Sequence, residues 1–96
     1  MIKPSEILMR DGVLIAKMGF RSWEISPTQV SRIHIHQVIS LCDEIGVTVD
    51  EVETFFFTDA TPGFHFAEKI LLFEKFFGPN WYEEASEGII LEHKKP

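Results

Sequence analysis

Ser26-Pro27-Thr28-Gln29-Val30-Ser31-Arg32-Ile33-His34-Ile35-His36-Gln37-Val38-Ile39-Ser40-Leu41 decides the fold, because it supports two incompatible readings. As a helix it would open with Ser26 as N-cap, Pro27 at the first helical position and Gln29 completing a capping box, and it would stop at Gly46. As a strand, Arg32-Ile33-His34-Ile35-His36 alternates cleanly, slips at Gln37-Val38 and resumes as Ile39-Ser40-Leu41. Thr28, Val30, Ile33, Ile35, Val38 and Ile39 are β-branched and favour extended backbone. The helical version would spread its apolar positions over more than half the cylinder, which suits neither a surface helix nor a core stripe. The strand is therefore adopted, and it makes the domain a sheet protein.

Toward the N-terminus, Arg10-Asp11-Gly12 signals a turn and Val13-Leu14-Ile15-Ala16-Lys17-Met18 is an apolar run of strand length. Gly19 punctuates it, and Phe20 to Ile25 returns with imperfect alternation, so residues 13–25 read as a hairpin. Toward the C-terminus, Asp43 to Asp50 reads as an acidic turn and Val52 to Thr58 as the central strand, with Phe55 and Phe57 on one face and Phe56 on the other. Asp59 to Gly63 is a turn in which Thr61 can cap a helix beginning at Pro62 and stopped by Gly78-Pro79. Asn80 with Glu83 forms a capping box for a short helical turn through Ala85, Ile89-Ile90-Leu91 suits a last short strand, and residues 93–96 read as a free tail. The expected fold is α+β: a mainly antiparallel sheet, made of the N-terminal hairpin plus two further strands, packed against a C-terminal helix of residues 62–77.

Eight of the nine phenylalanines fall between Phe55 and Phe77, with Trp81 and Tyr82 close behind, so this segment should supply most of the core. Within the helix, Phe66, Ile70, Phe73 and Phe77 form the stripe expected to face the sheet. Leu72 and Phe76 point to another side, and the helix carries too few polar residues to cover it. Either the Trp81-Tyr82 segment covers that side, or another molecule does, including a second copy of the chain.

Ninety-six residues with 45% apolar and 25% charged content suit one soluble domain, residues 1–96. No apolar run is long enough to span a bilayer, and the first residues lack a secretory h-region, so a cytoplasmic location is expected. The single cysteine, Cys42, fits a reducing compartment and reads as a small apolar residue. Charge is distributed unevenly. From Ile33 to Glu68 there is no Lys or Arg, yet the stretch holds seven acidic residues, whereas the residues before it carry a net +2 and those after it a net −1. Such a middle segment disfavours nucleic acid and anionic membrane as partners and suits a basic protein surface. Asp43, Glu44, Asp50, Glu51 and Glu53, with Phe56, Leu72 and Phe76, are accordingly the candidate partner-binding residues.

His34-x-His36 is the one pattern that resembles a metal motif. On a strand both imidazoles share a face, and Cys42, Asp43, His65 or His93 would have to complete the set. Two ligands without a second pair do not specify zinc, and alternating histidines on the solvent face of a half-buried strand are the better account of the pattern. No nucleophile elbow, phosphate-cradling glycine loop or dinucleotide fingerprint occurs, and Asp50, Glu51, Glu53 and Asp59 read as solvated acids rather than general acids. No cofactor and no enzymatic activity are expected.

Trp23-x-Ile25 through Val30-x-x-Ile33-x-Ile35, then Asp50-Glu51-Val52 leading into Phe55-x-Phe57-x-Asp59, then Gly63-Phe64 and Asn80-Trp81, resembles small bacterial proteins with a PH-like arrangement over about residues 13–85. Several of those accompany secreted toxins as immunity partners and others have no assigned role, so a toxin-neutralising role is one specific form that the resemblance implies; it carries no catalytic residues with it. The expected function is a protein-binding module for a basic partner, with a metal-binding protein or metal-dependent enzyme using His34 and His36 as the alternative.

Overall fold

The computed structural model describes residues 1–38 and 43–95. It is an α+β fold with two antiparallel sheets and three short helices. The first sheet, ordered β1-β2-β3, contains β1 (Glu6–Arg10), β2 (Val13–Met18) and β3 (Arg21–Ile25). The second, ordered β6-β5-β4-β7, contains β4 (Arg32–Val38), β5 (Glu44–Asp50), β6 (Thr54–Thr58) and β7 (Leu91–Lys94). Between β6 and β7 lie α1 (Phe64–Ile70), α2 (Phe73–Phe77) and α3 (Trp81–Ser86). The segment ahead of β1 joins the sheets: Ile2 bridges to Phe55 on β6, while Ser5 donates its backbone N–H to Lys17 on β2.

The deciding stretch is a strand. Ile33 and Ile35 point into the core and pair with Val49 and Val47 of β5, while Arg32, His34 and His36 face outward. The helix-start signals at Ser26 and Pro27 are used up in one 3-10 turn, Pro27–Gln29, with Ser26 at its N-cap. The extended alternation downstream outweighs local capping chemistry once both sides of the strand can be paired. The predicted continuation over Ile39 to Leu41, and Cys42, lie outside the described residues.

The hairpin over residues 13–25 is present, but β1 precedes it and was not anticipated. Asp43 to Asp50 is not a turn: Glu44–Asp50 is β5, interior to its sheet, with Ile45, Val47 and Val49 buried. Its acidic ends and Gly46 conceal it. Gly46 is there for close approach, since a Cβ would lie 2.6 Å from Val38 Cγ2 and 3.1 Å from the Phe56 ring. The aromatic strand β6 is correspondingly at the sheet edge rather than its centre, flanked on its outer side by Ile2.

The single helix of residues 62–77 is replaced by two. The buried positions of α1 and its C-terminal residue are Phe64, Ala67 and Leu71, and the next inward position of an unbroken helix would be Glu74 or Lys75. Instead Leu72 adopts the left-handed conformation, with φ 59° and ψ 48°, and resets the helical phase. Phe73 then enters the core completely, and Glu74 and Lys75 remain in water. Of the stripe expected to face the sheet, only Phe73 is fully buried; Phe66, Ile70 and Phe77 pack at the core's margin. Thr61 does not cap α1, because its hydroxyl accepts from the Thr58 N–H; Gly63 is the N-cap residue. Phe64, Phe73 and Trp81 form a mutually packed aromatic trio, with Phe73 and Trp81 centroids 5.2 Å apart and edge to face.

At the C-terminus the last strand starts later than expected, at Leu91, and leaves Ile89 and Ile90 exposed. His93 and Lys94 pair with Ile33 and Arg32, and Lys95 donates to the Ser31 carbonyl, so residues 93–95 are held against β4 and do not form a free tail.

Candidate functional site

The helix break and the strand edge beneath it build the most distinctive surface feature of the molecule. Leu72 sits in a backbone conformation that costs a non-glycine residue about 1–2 kcal/mol, yet its side chain is 47% exposed, so core packing does not explain the choice of leucine. Phe76, one helical turn on, is 39% exposed and stacks on His93 of β7 with centroids 4.0 Å apart. Trp81 turns into the core and Tyr82 toward Asp59, so neither covers this side.

Between Leu72, Phe76 and the start of β4 lies a cavity of about 200 Å³. Val30, Ile33, Ile70, Leu71, Leu72 and Phe76 give it an apolar lining, to which Arg32, His93 and Lys95 also contribute. Lys95 Nζ donates to the carbonyls of Pro27 and Thr28, fixing the 3-10 turn at the cavity's edge. On the other flank of Leu72, Glu68, Lys69, Glu74 and Lys75 border an open polar depression.

The acidic candidates do not form one face. Glu44 and Asp50 are at opposite ends of β5, and seven residues of strand put them roughly 20 Å apart. Asp43 goes with the first end and Glu51 and Glu53 with the second. Two of the five are committed internally: Asp50 accepts from Arg32 Nε at 2.9 Å and from the Thr54 hydroxyl, and Glu51 accepts from the backbone N–H groups of Ser26 and Val52. Asp59 likewise accepts from the Ile45 N–H and from the Tyr82 hydroxyl at 2.5 Å. That hydrogen bond, aided by burial and by the Asp59 charge, raises the Tyr82 pKa. Asp43 and Glu53 are exposed, and no hydrogen bond or ion pair within the described residues holds their side chains.

Phe56 is on the outer sheet face, where it covers Gly46 and lies 6.2 Å from the His36 ring. It is half-buried by the monomer and is remote in register from the helix break. His34 and His36 share that outer face with ring centroids 5.3 Å apart. Glu92 Oε2 is 3.5 Å from His34 Nδ1, too long for a good hydrogen bond, and that nitrogen is buried without a partner. Desolvation raises the Glu92 pKa, but Lys94, His34 and Arg32 together outweigh it and hold the carboxyl below its usual range. Among the described residues no three His, Cys, Asp or Glu side chains converge as a metal site, and His65 and His93 lie elsewhere.

Sequence spacing singled out Leu72 and Phe76 but missed the cavity beside them. Val30 ahead of β4, Ile33 on β4, His93 on β7 and Lys95 just after it are all remote in sequence from the helix, and no local pattern joins them to it. No protein-family model, no curated protein and no solved structure matches the chain. No helix among the described residues is long and apolar enough to cross a membrane.

Proposed function

We propose that this chain is a non-enzymatic protein-binding module that engages its partner at the helix break, through Leu72, Phe76 and the cavity between them. One observation carries the reading: a leucine held in a strained left-handed conformation and half exposed beside an apolar cavity. The burial of Phe73 calls for a left-handed residue at this point but not for a leucine, where glycine or asparagine would be less strained and leave less apolar surface in water. A cavity near 200 Å³ is smaller than the roughly 300–1,000 Å³ of usual cofactor pockets but accommodates one large apolar side chain. The acidic residues support this surface less well as a docking face, because they are divided between two ends of β5 and partly spent on internal hydrogen bonds.

Affinity purification from the native host tests the reading with tagged wild type, Leu72→Glu and Asp43→Lys/Glu53→Lys. A stoichiometric companion, whether another protein or untagged copies of this chain, should be lost with Leu72→Glu and kept with the acidic-site variant. The reverse pattern would move the interface to the acidic ends and refute the proposal. A toxin-neutralising role is the specific form suggested by the resemblance to PH-like immunity proteins; in that form Leu72→Glu would abolish protection against a co-expressed toxin.

A further inference from the structure

We propose that the outer edge of β3 is a second binding surface, separate from the helix break, and that it takes an extended segment of a partner protein as an added antiparallel strand of the first sheet. The two-residue turn Gly19-Phe20 joins β2 to β3 and closes on the pair Met18 and Arg21. After a turn of that length the closing pair exchanges hydrogen bonds, and so does every second pair beyond it, Ala16 with Trp23 and Leu14 with Ile25. The N–H and C=O groups of Ser22 and Glu24 therefore point away from β2. Beyond the ladder, no backbone hydrogen bond among the described residues reaches them. The other edges are better protected. On β1, Ile7 donates its N–H to Pro62 at 2.8 Å. On β6, Phe56 donates to Ile2, Ile2 donates to Thr54, and the Thr58 N–H goes to the Thr61 hydroxyl. β7 is four residues long and carries Glu92 and Lys94, and short length and charge both discourage pairing.

Backbone chemistry fixes the class of the occupant. Donors and acceptors repeated at strand spacing are matched by another extended chain, which alone presents N–H and C=O groups at that period. Side chains narrow it further. Toward an added strand, Arg21 and Trp23 sit at positions without ladder hydrogen bonds, where facing side chains come closest. Trp23 is half-buried, edge to face with Phe55 at 6.4 Å between centroids, and the Arg21 guanidinium lies 4.7 Å over its ring. No ion pair within the described residues uses Arg21 or Glu24. The segment that fits therefore sets an apolar, β-forming residue opposite Trp23, a carboxylate opposite Arg21 and a base opposite Glu24. Read from its own N-terminus, that order is a base, an apolar residue, any residue and an acid. A second copy of β3 does not supply it: antiparallel pairing matches outward residues with outward residues, so Glu24 of one copy never faces Arg21 of the other. Phe20, at the hairpin tip beside this edge, is wholly exposed and adds an aromatic ring for the segment to pack on.

The probe is a short capped peptide with Lys-Val-Thr-Glu at its centre, titrated into the isotope-labelled protein with amide chemical shifts as the readout. The amides of Ser22 and Glu24 should move most and saturate, and Ser22→Pro/Glu24→Pro should bind at least about 10-fold more weakly. Those prolines remove only N–H groups that face away from β2, so unchanged circular dichroism in this variant separates docking from folding. Exchanging the peptide's charges to Glu-Val-Thr-Lys should weaken binding, and Arg21→Glu/Glu24→Lys should restore it. Leu72→Glu should bind the peptide as the wild type does, which keeps this edge distinct from the helix break. No movement of the β3 amides at about 1 mM peptide, equal binding by the proline variant, or β3 amides that move with protein concentration alone overturns the proposal.

Discussion

Gly63 is where the helical layer meets the first sheet, and replacing it by alanine should destabilise the fold more than any other glycine substitution at positive φ. Its φ is +85°, and a Cβ built there lies 1.7 Å from the carbonyl oxygen of Ile7 and 2.7 Å from its carbonyl carbon. Both obstacles are backbone, so no side-chain rotation relieves them. Ile7 is fully buried, and its N–H donates to Pro62 at 2.8 Å, so moving the strand away breaks a backbone hydrogen bond and disturbs packed core. The left-handed penalty is about 1–2 kcal/mol, the lost hydrogen bond about 1 kcal/mol and the forced displacement about 1–3 kcal/mol. Because these overlap, the expected loss is about 3–5 kcal/mol. Gly12 and Gly19 provide the control: both have positive φ, but neither would bring a Cβ within 4 Å of anything, so alanine there should cost only the conformational part, about 1 kcal/mol. In thermal unfolding at this chain length, Gly63→Ala should lower Tm by at least about 12 °C and Gly12→Ala by about 4–8 °C. Equal shifts in the two variants would show that β1 and the α1 start do not approach as described.

Phe73→Ala should cost about 3–5 kcal/mol in urea unfolding because the ring is fully buried against Phe64 and Trp81, whereas Phe76→Ala, at the rim, should cost about 1 kcal/mol or less; the opposite order would reassign the core. Tyr82 is the single tyrosine, so ultraviolet titration reads it alone. Its apparent pKa should exceed that of free tyrosine and fall in Asp59→Asn. Since the folded-state pKa is raised, the associated stability is present below the unfolded value near 10 and is lost as pH climbs through the folded one; Tyr82→Phe should lack this alkaline decline. Gly46→Ala should cost about 1–3 kcal/mol through contact with Val38 and Phe56, and Val38→Ala in the same chain should recover part of it; no recovery would place the strain elsewhere.

Much of the fold was legible where a single periodicity dominated. Arg32 to His36 alternates with no competing apolar face, so the strand reading survived good helix-capping residues upstream. The hairpin at residues 13–25 is fixed by its glycines and apolar run. Local patterns failed where the determining partner is remote. Asp43 to Asp50 looked like an acidic turn because carboxylates mark its ends, yet Ile45, Val47 and Val49 are buried by strands on both sides. The helix over 62–77 carried one continuous apolar spacing, but the phase set by Phe64, Ala67 and Leu71 would have driven Glu74 or Lys75 inward, and only the tertiary demand for Phe73 breaks it at Leu72. The exposed side of Leu72 and Phe76 was therefore visible in sequence. Its cavity was not, since most of the remaining lining comes from the 3-10 turn, the start of β4 and the end of the chain, all remote in sequence from the helix break.

The binding surface is tested most directly by amide chemical shifts of the isotope-labelled protein, recorded as the companion recovered by affinity purification is added. With the helix break as the contact, amides of residues 68–77 and 28–33 should move together and stop moving in Leu72→Glu. Shifts confined to the neighbourhood of Asp43 and Glu53, with the helix break unchanged, would contradict it.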